Sequence, residues 1–201
     1  MNKSVIFLVA ALLGGCALTD ATLDVSHSPD NVQEGPLAEV ASVTFVPGAL
    51  EDTRQDQQRV GYKKNGFGVN TAQLTTEKPV TDIVMDAIVD AIEASGHTVG
   101  DSGVGVSGEV SYFWVDLDQS LWRAEVIGNS VDIVAGVEAT LRFTDTVSGD
   151  LLYERGYKGS YSDKVQIVTN ETYGLAISAA VGNLIDEIVF DEDLAEVLRA
   201  R

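Results

Sequence analysis

Val131-Asp132-Ile133-Val134-Ala135-Gly136-Val137-Glu138-Ala139-Thr140-Leu141-Arg142-Phe143 is the stretch that decides the fold class. Its odd positions are all apolar, and its even positions, Val134 excepted, are polar or small. A period of two over thirteen residues puts one face of a strand on a core and the other in water, the signature of a half-buried antiparallel strand. The turn-rich segment Asp145-Thr146-Val147-Ser148-Gly149-Asp150 follows and returns the chain into residues 151–161, so a hairpin is expected. On the other side, residues 104–117 form a second long strand candidate, with Val110, Tyr112 and Trp114 on one side and Phe113, Val115 and Leu117 opposite.

Helices flank this β region. Ile83, Ala87 and Ala91 form one row at a spacing of four, and Val84, Ile88 and Ile92 the next, so residues after Pro79 form an amphipathic helix with Gly96 as its left-handed cap. A second helix opens at Thr169 or Asn170 and buries Tyr173, Ile177, Val181, Leu184 and Ile188; Asp191 caps a short terminal helix. Upstream, residues 43–46 read as a strand ended by Pro47-Gly48, and Lys63-Lys64-Asn65-Gly66 marks a second hairpin. The order predicts a two-layer α+β domain over residues 40–201, a mostly antiparallel sheet with two main helices packed on one face.

The N-terminal segment carries a different message. Met1-Asn2-Lys3-Ser4 is a short cationic start, residues 5–13 are apolar throughout, and Gly14-Gly15 precede Cys16, the chain's one cysteine. Residues 1–15 therefore read as a secretory signal peptide, too short for a membrane span. Leu13-Gly14-Gly15-Cys16 also resembles the lipobox of bacterial lipoproteins. That resemblance implies cleavage before Cys16, a diacylglycerol on its thiol and a further acyl chain, palmitate or similar, on the new amino terminus. Two or more chains anchor stably where one is marginal. Ala17 follows the cysteine, with no aspartate there, which by analogy implies the outer membrane, facing the periplasm. Residues 16–39, with the polar stretches Thr19-Asp20, Ser26-His27-Ser28-Pro29-Asp30-Asn31 and Glu34-Gly35-Pro36 and few apolar residues, read as the lipidated cysteine and a flexible tether, with His27 as a solvated loop residue.

The formal charge is −18, and losing Lys3 with the signal peptide makes the mature chain more negative still. Such a field repels phosphate backbones, so no nucleic-acid partner is expected. The membrane is met through the lipid, and an envelope protein or a cell-wall component is the expected partner.

Little in the chain points to catalysis. Gly103-Val104-Gly105-Val106-Ser107-Gly108 matches a dinucleotide fingerprint by letter, but a strand follows it where a helix N-terminus is required. No cofactor is expected. The two histidines, His27 and His97, lie far apart, with His97 at a helix C-terminus where a proton is favoured. No His/Cys spacing supports zinc, and Asp116 and Asp118 lack the glycine and glutamate of a calcium loop. Arg54, between Asp52 and Asp56, reads as a local ion-pair residue. The aromatic residues Trp122, Tyr153, Tyr157 and Tyr161 are candidate partner-binding positions, unless the tyrosine face packs beneath a helix.

The layout resembles the YajG-like family of uncharacterised bacterial lipoproteins over nearly the whole chain. The resemblance rests on the lipobox at Cys16, the strand at 43–46 with the Asp52-Thr53-Arg54 loop, the helix bearing Val84, Ile88 and Ile92 with its exit Ser95-Gly96-His97-Thr98-Val99-Gly100, and the terminal Leu198-Arg199-Ala200-Arg201. His97 stands where that family often has tyrosine. The resemblance implies a periplasm-facing lipoprotein with no known catalytic residues. The expected function is a non-enzymatic binding or scaffold module; the alternatives are a hydrolase of cell-wall material using acidic residues, or an accessory subunit of an envelope transport or assembly complex.

Overall fold

The computed structural model describes residues 18–27, 35–65, 68–118 and 130–201. Eight strands form one mixed sheet: β1 (Ala21–Leu23), β2 (Thr44–Asp52), β3 (Gly61–Lys64), β4 (Asn70–Thr76), β5 (Thr98–Val99), β6 (Val104–Asp118), β7 (Val131–Asp145) and β8 (Leu151–Val165). Among the described residues three α-helices accompany it: α1 (Val80–Ala94), α2 (Asn170–Val189) and α3 (Glu192–Arg199). The α+β class and the packing of helices against the sheet are as the patterning predicts.

The alternating strand is β7, whose odd residues from Val131 to Phe143 are all buried. It pairs antiparallel along its length with β6 on one side and β8 on the other. The free edge of β6 is shared: β2 runs parallel to its first half, and β3 touches its second half at Gly61↔Val115. β4 and then β1 extend the sheet beyond β3.

Local chemistry sets the helix ends. Gly96 takes φ 87°, and the His97 amide donates to the Ile92 carbonyl at 3.2 Å, closing α1 in a left-handed cap. Thr169 Oγ1 accepts from the Thr172 amide while Thr172 Oγ1 accepts from the Thr169 amide, so both bonds of a capping box open α2. α1 buries Ile83, Val84, Ala87, Ile88, Ala91 and Ile92, and α2 buries Tyr173, Ile177, Val181, Leu184 and Ile188. No single helix among the described residues is long and apolar enough to cross a membrane.

Several expectations change. First, β2 runs through Pro47-Gly48 to Asp52, with a register shift between Pro47 and Leu50. Proline is tolerated there because β5 pairs only with Thr44 and Phe45, leaving that side of β2 an edge. Second, a bulge between Val110 and Tyr112 moves the phase of β6. Val110 joins Phe113, Val115 and Leu117 in the core, while Tyr112 and Trp114 point to the opposite face.

Third, the expected tether of residues 16–39 is partly built into the domain. Ala21–Leu23 pairs parallel with β4, burying Ala21 and Leu23, and the 3-10 turn Pro36–Glu39 buries Leu37 at 1% exposure. Isolated apolar residues in a polar segment supplied the contacts that composition hid.

Fourth, His97 is 5% exposed, with the Val43 amide donating to its Nδ1 at 3.2 Å and its Nε2 3.0 Å from the Leu37 carbonyl. An acceptor at Nδ1 and a donor at Nε2 make a neutral ring, and burial lowers its pKa against the raising effect of the Leu37 carbonyl. The protonated helix-terminal role expected for it does not apply. His27, expected in a solvated loop, is also less exposed than that: it is half-buried near Asp90 and Asp186, and burial lowers its pKa.

Candidate functional site

The structure places three of the four sequence-predicted aromatic residues. Cys16 and Trp122 lie outside the described residues. Tyr153, Tyr157 and Tyr161 do share the inner face of β8, opposite Phe143, Ala139 and Ala135 of β7. Tyr157 is 2% exposed, and its hydroxyl donates to Asp191 Oδ2 at 2.6 Å. Tyr153 donates to the same oxygen at 3.1 Å, and Arg155 Nη1 donates to Asp191 Oδ1 at 2.9 Å.

The backbone amides of Asp193 and Leu194 complete the set as Asp191 caps α3. A buried carboxylate thus collects two phenols, a guanidinium and a helix N-terminus. Burial, and then the hydrogen bond to Asp191, push the Tyr157 pKa far up, so the phenol stays a donor. Tyr161 is half-buried and reaches Asp163. Tyr157 therefore packs beneath the helices and is closed to a partner, a correction to its binding role. The aromatic stripe was legible in sequence; its acceptor, Asp191, thirty-odd residues on, was not.

An open site lies on the other face. Between Val110, where β2 leaves β6, and Val115, where β3 arrives, no strand among the described residues covers the edge of β6. Residues 53–60 close that gap, held by Thr53 N–H to the Val110 carbonyl at 3.0 Å and Val115 N–H to the Val60 carbonyl at 2.8 Å. Arg54 fills the space between. Its Nε and Nη2 grip Asp52 in a fork at 2.9 and 2.8 Å. Nη2 also donates to the Gln57 carbonyl, and Nη1 to the carbonyls of Arg59 and Phe113.

All five N–H donors of the guanidinium are used, and Arg54 is 7% exposed. The expected local ion pair with Asp52 is present, but its role is larger. Arg54 replaces a missing strand by bonding the loop's carbonyls and the sheet's at once. For Asp52, burial works to raise the pKa, yet the side-chain and backbone hydrogen bonds from Arg54 outweigh it, and the net shift is downward.

The loop walls a groove of about 390 Å³ floored by β6 and lined by Arg54, Gln55, Asp56, Ser111, Tyr112, Phe113 and Trp114. That is small-ligand size, at the lower end of the range of about 300–1,000 Å³. Tyr112 is 44% exposed and lies on Gly136 of β7, where a Cβ would come within 2.9 Å of its ring. Trp114 packs edge-on against Tyr62 at 5.8 Å between ring centres, and the Arg59 guanidinium covers Tyr62 at 5.1 Å. Arg59 also pairs with Asp56 at 2.7 Å. Asp56 is thus engaged, and it is the one carboxylate lining the groove. Among the described residues no cluster of His, Cys, Asp and Glu could hold a metal ion.

Tyr62, Tyr112, Trp114 and Gln55 were not singled out from sequence. The signal was there: the buried apolar residues fall at even positions through Val110 and at odd positions from Phe113, and that change of phase announces a bulge.

Comparison with known proteins was informative at the level of fold. No family model matches the chain, and no curated protein matches it. Among solved structures, a Xanthomonas campestris protein of the DUF330 family superposes with TM-score 0.54 at 15% identity, covering 89% of this chain and 95% of that one. The two share a fold. A minor lipoprotein from Acinetobacter baumannii gives TM-score 0.39 at 11% identity, covering 80% of this chain and 93% of that one. A lipoprotein from Neisseria meningitidis gives 0.28 at 14% identity, covering 69% and 94%.

Proposed function

We propose that the chain is a lipid-anchored envelope lipoprotein whose folded part is a non-enzymatic binding module, and that the groove beside Tyr112 and Trp114 is where it binds. The observation that carries this reading is the groove itself, a part-apolar concavity with the exposed Tyr112 ring and the half-buried Trp114 ring on a sheet face that the helices leave bare. The anchor is supported by Leu13-Gly14-Gly15-Cys16 and the cationic, apolar segment before it, and by the likeness of the whole layout to YajG-like lipoproteins. Ala17 favours the outer membrane, facing the periplasm. The hydrolase alternative needs two carboxylates free to act across one site; the groove offers Asp56, held by Arg59.

Metabolic labelling with palmitate and membrane fractionation test the anchor. The wild-type protein takes up label and floats with outer membranes, and Cys16→Ser loses the label and appears in the soluble fraction. Absence of label from the wild type overturns the anchor. Cross-linking in intact cells tests the module: a discrete adduct in the wild type disappears in Tyr112→Ala. An adduct pattern indifferent to that change removes the groove from the function.

A further inference from the structure

The charges around the groove select what it can hold. Four of the chain's 13 basic residues stand around the aromatic patch, and each is paired with its own carboxylate. Arg54 holds Asp52 and Arg59 holds Asp56. Lys64 holds Asp116 at 2.5 Å, and Lys158 holds Glu138 at 2.6 Å. In a chain of formal charge −18 this neighbourhood is locally balanced. An anion meets the net repulsion of the protein, and a cation finds these four carboxylates already engaged.

The groove-lining groups left without a hydrogen bond among the described residues are neutral. Among the described residues no hydrogen bond engages the Tyr112 hydroxyl, the Trp114 indole N–H or the Gln55 amide. Burial, with Asp116 and Glu138 nearby, raises the Tyr112 pKa, so its hydroxyl keeps its proton. Flat apolar ring faces lie directly beside these donors and acceptors. A ligand that matches must present C–H faces and uncharged hydroxyl or amide groups together.

We infer that the groove is a carbohydrate site, taking one or two rings of a neutral oligosaccharide with a sugar face against Tyr112; this rests on the reading of the groove as the binding site. Its geometry is set before the ligand arrives, which reduces the ordering cost of binding. Gly136 seats the Tyr112 ring on the sheet, Tyr62 braces Trp114, and Arg54 locks the wall through all five of its donors. The volume of about 390 Å³ suits a small ligand and not a protein face.

The test titrates the purified full chain, carrying Trp122→Phe and held in a sugar-free detergent, with tetramers of glucose and of N-acetylglucosamine while Trp114 fluorescence is followed. One of the two sugars is expected to give a saturable change, and tetralysine none. Tyr112→Ala should weaken sugar binding by about tenfold. Gly136→Ala keeps every lining side chain but displaces the Tyr112 ring, so it should weaken binding similarly at an unchanged unfolding temperature. No saturable binding of either sugar, or binding that survives both substitutions, overturns the inference. Tyr112-dependent binding of tetralysine instead removes the carbohydrate assignment and leaves the groove as a binding site. If nothing binds and the cellular adducts ignore Tyr112→Ala, both readings fall.

Discussion

The two faces of the sheet carry the same chemical alphabet and use it in opposite ways. On the helix-covered face, Tyr153, Tyr157, Arg155 and Asp191 are fused into one network in which the phenols and the guanidinium converge on a single carboxylate. On the bare face, Tyr62, Tyr112 and Trp114 stand among Arg54, Arg59, Asp52 and Asp56, but there the charges satisfy one another, Arg59 bonds the Tyr62 hydroxyl, and among the described residues the polar tips of Tyr112 and Trp114 are left unused. Residue type does not distinguish a structural cluster from a binding one. Where the hydrogen bonds end does: a saturated cluster holds the fold, and an unsaturated, solvent-facing one is available to a ligand.

Asp191→Ala should produce the largest effect. It strands two phenols and removes the cap of α3, so a loss of about 4 kcal/mol is expected by urea unfolding. A loss under about 1 kcal/mol would mean the sealed cluster is not the structural one. Next is Arg54→Lys, which keeps the charge but cannot make the fork to Asp52 or reach three carbonyls together. It should cost about 2 kcal/mol and speed hydrogen exchange over residues 53–60.

Acid gives a third, smaller separation. The Asp52 pKa is lowered in the folded protein, so its stabilising contribution is complete above the ordinary carboxylate value near about 4 and is lost as pH falls through the lowered folded value. Stability should therefore decline below pH about 4, and less steeply in Asp52→Asn, as followed by thermal unfolding across pH. The smallest effect is Tyr112→Ala, exposed and without a hydrogen-bond partner among the described residues, which should change stability by about 0.5 kcal/mol or less while altering ligand binding. A large loss would move Tyr112 into the structural class.

These contrasts also explain what could be read from the chain. Strand β7 and helices α1 and α2 were visible because each buries one face at a regular period, a property local to the segment. The capping roles of Gly96, Thr169 and Asp191 were visible for the same reason. Strand β1 was not, because two buried residues among polar ones carry no period; its place depends on β4, some fifty residues away. His97 looked like a helix-terminal cation because its neighbours in sequence are a helix, whereas Val43 and Leu37 decide its proton. The groove needed both a bulge and an arginine standing in for a strand, and neither Arg54 nor Ser111 signals that alone.

Strand β1 has a mechanical consequence. It begins five residues after Cys16, a reach of about 17 Å at full extension. A lipid at Cys16 would then hold the β4 side of the sheet close to the bilayer, and the anchor would set a posture as well as an address. Load from the membrane would pull β1 along its own axis and strain the ladder at Ala21↔Leu74, Thr22↔Thr75 and Leu23↔Thr76 in shear, all at once. Releasing that short strand would free extra chain, so the domain would have two distances from its membrane, a moored one and a reaching one.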